Sequence, residues 1–122
     1  MRKLYVVKDS KDFEKIIKNG KVVKNKSYVI YHMNNNLPYN RYGISVGKKI
    51  GNAVHRNKYK RRIRAIIDNS KKDYINSQDY IIILRGSAKD KDYQSLEKDF
   101  LTLIDNIRKE KSNESTKENK KI

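Results

Sequence analysis

From Lys15 to Ile67 the chain carries 14 Lys and Arg and no Asp or Glu, so 53 consecutive residues hold a net charge of +14. Whatever fold this chain adopts must keep those like charges at the surface. Burying even one of them unpaired costs several kcal/mol, on the order of the whole stability of a small domain. The remainder of the chain sets 16 basic residues against all 14 acidic ones, so it supplies only +2 of the total +16. The excess is therefore local, and it does not read as a uniformly basic solubility surface. A small domain with such a segment meets a polyanion.

At 122 residues one domain is the expectation. With 36% hydrophobic residues, 9 Tyr, 2 Phe and no Trp, the chain can fill one modest core but not two. Apolar runs reach four or five residues, as at Ile81–Leu84, too short to span a bilayer. The basic N-terminus lacks the apolar stretch of a secretory signal, so a cytoplasmic location is expected. The absence of Cys excludes a disulfide framework, thiol catalysis and a thiolate zinc site. Of only 8 Arg, against 22 Lys, four are Arg56, Arg61, Arg62 and Arg64. In a composition rich in Lys, Asn and Ile, that concentration points to a need for planar, bidentate donors.

Hydrophobic period and punctuation set the elements. A first helix starts at Asp9-Ser10, ends at Asn19-Gly20 and carries Phe13, Ile16 and Ile17 on one stripe. Residues 21–33 read as extended, with the clearest alternation from Ser27 to Met33. Asn34–Asn40, with the only Pro (Pro38), reads as a turn or hairpin loop, and Arg41–Val46 as the next strand. A glycine-flanked basic loop, Gly47–Asn52, leads to a helix from Val54 to about Asn69. A polar turn at Asn76–Asp79 precedes a short buried strand, Tyr80–Leu84, and a loop to Asp92. The last helix runs from Tyr93 to about Glu110, with Leu96, Phe100, Leu103, Ile104 and Ile107 as its apolar face. Residues 1–110 are thus expected to form the domain, and the polar, aperiodic residues 111–122 a disordered tail. The order gives an α+β two-layer sandwich with a small sheet. Its β-α-β unit would be right-handed by the general rule.

On the second helix Tyr59, Ile63, Ile66 and Ile67 form a stripe that can pack on the sheet. Arg56, Lys60 and Arg64 run beside it at i, i+4, i+8, while Asn57 and Arg61 face water. Like charges at i, i+4 repel by a few tenths of a kcal/mol per pair, so this face gains from a neutralising polyanion. Gly47 and Gly51 let the preceding loop bring backbone N–H groups near phosphate. If six to eight phosphates are engaged, affinity falls by roughly 0.7–0.9 log units per contact for each log unit of salt.

The run Lys48-Lys49-Ile50-Gly51-Asn52-Ala53-Val54-His55-Arg56-Asn57-Lys58-Tyr59-Lys60-Arg61-Arg62-Ile63-Arg64 resembles the long RNR motif of the bacterial ribonuclease P protein subunit, K-K-x-G-N-A-V-x-R-N-x-x-K-R-x-x-R. Asp12-Phe13, Tyr28–Tyr31, Gly43-Ile44-Ser45-Val46 and Asp79–Arg85 match in order, so the resemblance spans about residues 4–110. It implies an αβββαβα two-layer sandwich with a small mixed sheet, whose β-α-β crossover is left-handed against the general rule. It also implies that Lys48, Lys49, Asn52, Arg56, Asn57, Lys60, Arg61 and Arg64 contact the catalytic RNA. Arg62 stands where relatives often have an apolar residue, and Ala65 where many have an acid or amide.

The same resemblance implies a central cleft for the 5′ leader of precursor tRNA, with Phe13, Ile17, Val29 and Tyr31 at the matching positions. Lys48 and Arg56 would lie near its rim, and Ile17 replaces an aromatic seen in some relatives. Aromatic stacking beside basic groups is a common way to hold single-stranded RNA, although the four residues could equally be core. The sequence shows no catalytic residue and no metal site in the protein. His32 and His55 have no evident partner, Asp9 and Asp12 suit a helix start, and Asp90/Asp92 would make at best a weak Mg²⁺ site. The resemblance assigns hydrolysis to the RNA subunit with Mg²⁺, one protein per ribonuclease P RNA, and precursor tRNA as substrate. The alternative is a structural RNA-binding protein of the ribosome.

Overall fold

The computed structural model describes residues 6–70 and 77–120, with side chains through residue 110. Helix α1 (Ser10–Asn19) is followed by strands β1 (Lys21–Lys24), β2 (Tyr28–Asn34) and β3 (Arg41–Val46). Then come helix α2 (Ala53–Asn69), strand β4 (Gln78–Leu84) and helix α3 (Tyr93–Lys120). One 3₁₀ turn, Lys48–Ile50, precedes α2 and another, Gly86–Ala88, follows β4. The αβββαβα order is the expected one, and the sheet is mixed, with strand order β1-β2-β4-β3. β1 and β4 flank β2 antiparallel, and β3 pairs parallel with β4 through the α2 crossover.

Three local expectations are corrected. The extended stretch 21–33 is two strands, because Asn25 Oδ1 accepts from the Ser27 and Tyr28 backbone N–H at 3.0 Å each and turns the chain. Of the two readings of Asn34–Asn40, turn or hairpin loop, the hairpin falls away, because β4 lies between β2 and β3. β4 begins at Gln78, where a polar turn is expected through Asp79, since Gln78 N–H donates to Asn40 Oδ1 at 2.9 Å and Asp79 joins the register opposite Arg41. Asn76 of that turn lies outside the described residues.

Strand alternation divides the sheet. Tyr28 and Ile30 of β2, Tyr42 and Val46 of β3, and Tyr80, Ile82 and Leu84 of β4 join one core with the buried stripes of α2 and α3. α1 lies on the opposite face, where Ile16, Val7 and Ile81 are buried and Phe13, Tyr31, Met33 and Ile83 only half-buried. The sheet therefore has helices on both faces, with α1 covering part of the second. α3 continues to Lys120, beyond the Glu110 end read from its apolar period. A packed helix propagates at little cost per added residue, without needing further apolar positions.

Candidate nucleic-acid interface

β3 runs into the 3₁₀ turn at Lys48–Ile50, which the wholly buried Ile50 pins to the core. Gly51 sits at φ +146°, and a Cβ there would also come 3.1 Å from His55 Cβ, so this position requires glycine. Gly47 has an ordinary extended backbone and open space around it. Asn52 caps α2, its Oδ1 accepting from His55 N–H at 3.1 Å and lying 2.9 Å from His55 Nδ1. What Asn52 can still offer a partner is its amide NH₂.

The stripe Tyr59, Ile63, Ile66 and Ile67 is buried, which fixes the rotation of α2. Lys48, Lys49, Asn52, Asn57, Arg61 and Arg64 are thereby exposed, and Arg56 and Lys60 half-buried. Among the described residues none of these six Lys and Arg joins an ion pair. Arg56 Nε is buried with no acceptor, a bond that turning the guanidinium toward a phosphate would recover. Arg62 instead places its guanidinium carbon 5.5 Å from the centroid of the Tyr59 ring, within cation–π range.

The four cleft positions share the α1 side of the molecule. Phe13 and Tyr31 pack into the small cluster around Ile16 and Ile81. Ile17, 38% exposed, stands on the same helix stripe, and half-buried Val29 lies two residues from Tyr31 on β2. The Phe13 ring presses on Gly43, where a Cβ would come within 2.6 Å of it. Register places Tyr31, Ile81 and Gly43 in one row under α1, and Val29, Ile83 and Ser45 in the next. Ile83 and Ser45 were not among the expected cleft residues; the odd-numbered alternation of β4 was the available signal. That second row lies at the C-terminal ends of parallel β3 and β4, where the Lys48–Ile50 turn also emerges. The Val29–Ile83–Ser45 row and the basic loop therefore lie at the same end of the sheet.

The groups weighed for chemistry have other work. Asp9 caps α1 through Lys11 N–H at 3.0 Å, and Asp92 caps α3 through Ser95 N–H at 2.8 Å. The Ser95 bonds hold the Asp92 carboxyl below its ordinary range. His32 is buried with Nε2 4.0 Å from Glu110 Oε2, whereas His55 is exposed on α2 and pairs with Asn52. No three His, Cys, Asp or Glu among the described residues gather to hold a metal. No described helix is long and apolar enough to cross a membrane.

The structure is thus an α+β domain that sets docking-helix cations, none of them ion-paired among the described residues, on the same molecule as a half-buried apolar sheet face. Residues 1–108 match the family model described as Ribonuclease P. The chain is 46% identical over 97 residues to the ribonuclease P protein component of Streptococcus pyogenes serotype M5, covering 80% of this chain and 81% of that protein. It superposes at TM-score 0.79 and 38% identity on the Staphylococcus aureus RNase P protein, solved as a mutant with defective mRNA degradation activity, over 85% of this chain and 88% of that one. The RNase P protein of Thermotoga maritima gives TM-score 0.76 at 30% identity, over 84% and 96%. The chain belongs to the ribonuclease P protein family, the protein component of a tRNA 5′-processing endoribonuclease. The ribosomal alternative finds no support in these matches.

Proposed function

We propose that this chain works through two RNA contacts: α2 and its preceding loop dock on the catalytic RNA, and the α1 cleft holds the 5′ leader of precursor tRNA. The observation that carries this is the six cations of the docking surface, none ion-paired among the described residues, next to a half-open apolar cleft. Lys48, Lys49, Arg56, Lys60, Arg61 and Arg64 neutralise phosphates, while the Asn52 and Asn57 amides add hydrogen bonds. Phe13 and Tyr31 offer rings for base stacking, and Ile17 and Val29 apolar contact, which tolerates varied leader sequence.

Leader affinity adds to what the RNA subunit gains from the tRNA body, so the two linked contacts act as one bivalent grip. Hydrolysis belongs to the RNA subunit, and Mg²⁺ bound mainly by that RNA supplies charge stabilisation there. The complex forms with one protein per RNA, in the cytoplasm. Reconstitution tests this: the chain added to a bacterial ribonuclease P RNA raises cleavage of precursor tRNA at low Mg²⁺. Absence of stimulation overturns the reading, and cleavage by the RNA-free chain overturns the division of labour.

A further inference from the structure

Arg41 opens β3 and stands in register with Asp79 of β4. Its Nε donates to Asp79 Oδ1 at 2.8 Å and one Nη to Oδ2 at 2.6 Å, a two-pronged pair. The Asp79 side chain is only 5% exposed, and Asn35 Nδ2 donates to the same Oδ1 at 2.9 Å. The guanidinium plane is thus locked to the sheet. Its other Nη reaches across to Asp12 Oδ2 of α1 at 3.5 Å.

That second arm is a weak source of stability. Asp12 is 43% exposed, and ion pairs at that exposure contribute little. Its consequence is directional. Asp12 immediately precedes Phe13, whose ring rests in the space that Gly43 leaves, two residues along β3 from Arg41. A charge pair and a ring seated on a missing side chain therefore fix α1 at adjacent residues against one strand.

We propose that Arg41 is a positioning residue for the cleft: anchored by Asp79, it holds α1 through Asp12 so that Phe13 and Ile17 stand at a set distance from the strand row of Val29 and Ile83. This rests on the cleft being the leader site. Without the Asp12 arm, α1 rocks about the Phe13–Gly43 contact and the wall loses its register, while the α2 surface is untouched.

The test uses reconstituted holoenzyme and two precursor tRNAs, one with a multi-nucleotide leader and one with a single-nucleotide leader. Asp12→Asn removes the charge from a half-exposed site and leaves the fold intact. It should cut the affinity advantage of the long leader by about 2- to 5-fold, the range that a half-exposed ion pair can supply. Affinity for the short-leader substrate and for the RNA subunit stays unchanged, and Asp12→Glu restores most of the advantage. Arg41→Lys, which keeps charge but loses the fork, should behave like Asp12→Asn with some added loss of thermal stability. A full leader advantage in Asp12→Asn, or equal losses on both substrates, overturns the positioning role. If the unsubstituted holoenzyme itself shows no leader advantage, the cleft reading fails instead.

Discussion

The face of the sheet under α2 and α3 and the face under α1 come from the same four strands, but among the described residues nineteen buried ones form the first cluster and three the second. The difference follows from helix supply. Two long amphipathic helices cover one face, whereas α1, ten residues long, covers part of the other. Half-buried Tyr31, Met33 and Ile83 are left there, with exposed Val22 and Ile17 nearby. Apolar surface left open at such a cost in burial is where a small domain meets its ligand. One face makes the fold, and the other leaves the apolar surface that the proposed leader contact would use.

Truncations on the two faces should break this comparison if it is wrong. Phe100 is fully buried and meets Tyr28 edge-on with ring centroids 5.7 Å apart. Phe100→Ala is expected to cost about 3–5 kcal/mol, enough to unfold much of a small domain at 25 °C. Ile17→Ala on the open face should cost less than about 1 kcal/mol, since that side chain is already exposed. Urea melts of the two variants measure the contrast. Equal losses would mean that the α1 face is core after all.

The next effect belongs to binding. Arg56→Ala with Arg61→Ala removes two unpaired cations and relieves repulsion along α2, so stability should shift by no more than about 0.5 kcal/mol. Affinity for the RNA subunit should drop, and the slope of log K against log salt should shrink by roughly 1.4–1.8, as for two lost phosphate contacts. A salt titration reads this directly. An unchanged slope would place the docking surface elsewhere.

A smaller effect is expected for Tyr31→Ala in the cleft. Losing one stacking ring should weaken binding of long-leader substrate by about 1–2 kcal/mol, roughly 5- to 30-fold, with RNA-subunit affinity preserved. Loss on the RNA-subunit side as well would merge the two contacts into one.

Much of the exposed cationic face of α2 was legible because it is local. Asn52 to Arg64 are joined by helical period, and the buried Tyr59 stripe dictates which cations face out. The long-range pairs were not legible. Arg41 meets Asp79 only because β4 inserts beside β3, and Asp12 only because α1 packs on the sheet, and no local pattern encodes either. The helical period joins Ile16 and Ile17 on one stripe without saying which edge the sheet takes; the structure buries Ile16 and leaves Ile17 out. Likewise the turn at Asn25 depends on one side-chain amide, and the length of α3 on propagation beyond its last apolar contact. Sequence period reports faces, whereas register and reach are settled by tertiary pairing.

The smallest expected effect sharpens how the packed face is closed. At its edge Asp99 on α3 accepts from Ser27 Oγ in the β1–β2 turn and from Lys91 Nζ at 3.0 Å. Asn25 Nδ2 also donates to the Asp99 carbonyl at 2.9 Å. The Ser27 hydroxyl first, then Lys91, holds the Asp99 carboxyl below its ordinary range. A carboxylate with a depressed folded-state pKa contributes stability that is fully present above its unfolded value and is lost as pH falls through the folded one. The tie should therefore be intact at neutral pH and fade below about pH 4, the usual Asp range. Asp99→Asn should cost about 1 kcal/mol at pH 7 after allowance for solvent screening, and close to nothing at pH 2. Thermal melts across that range compare the two proteins. Curves that stay parallel down to pH 2 would show that the tie acts through shape alone. Curves that converge would identify a charge that closes the packed face, unlike the Asp12 arm, whose effect is expected in leader binding and not in the melt.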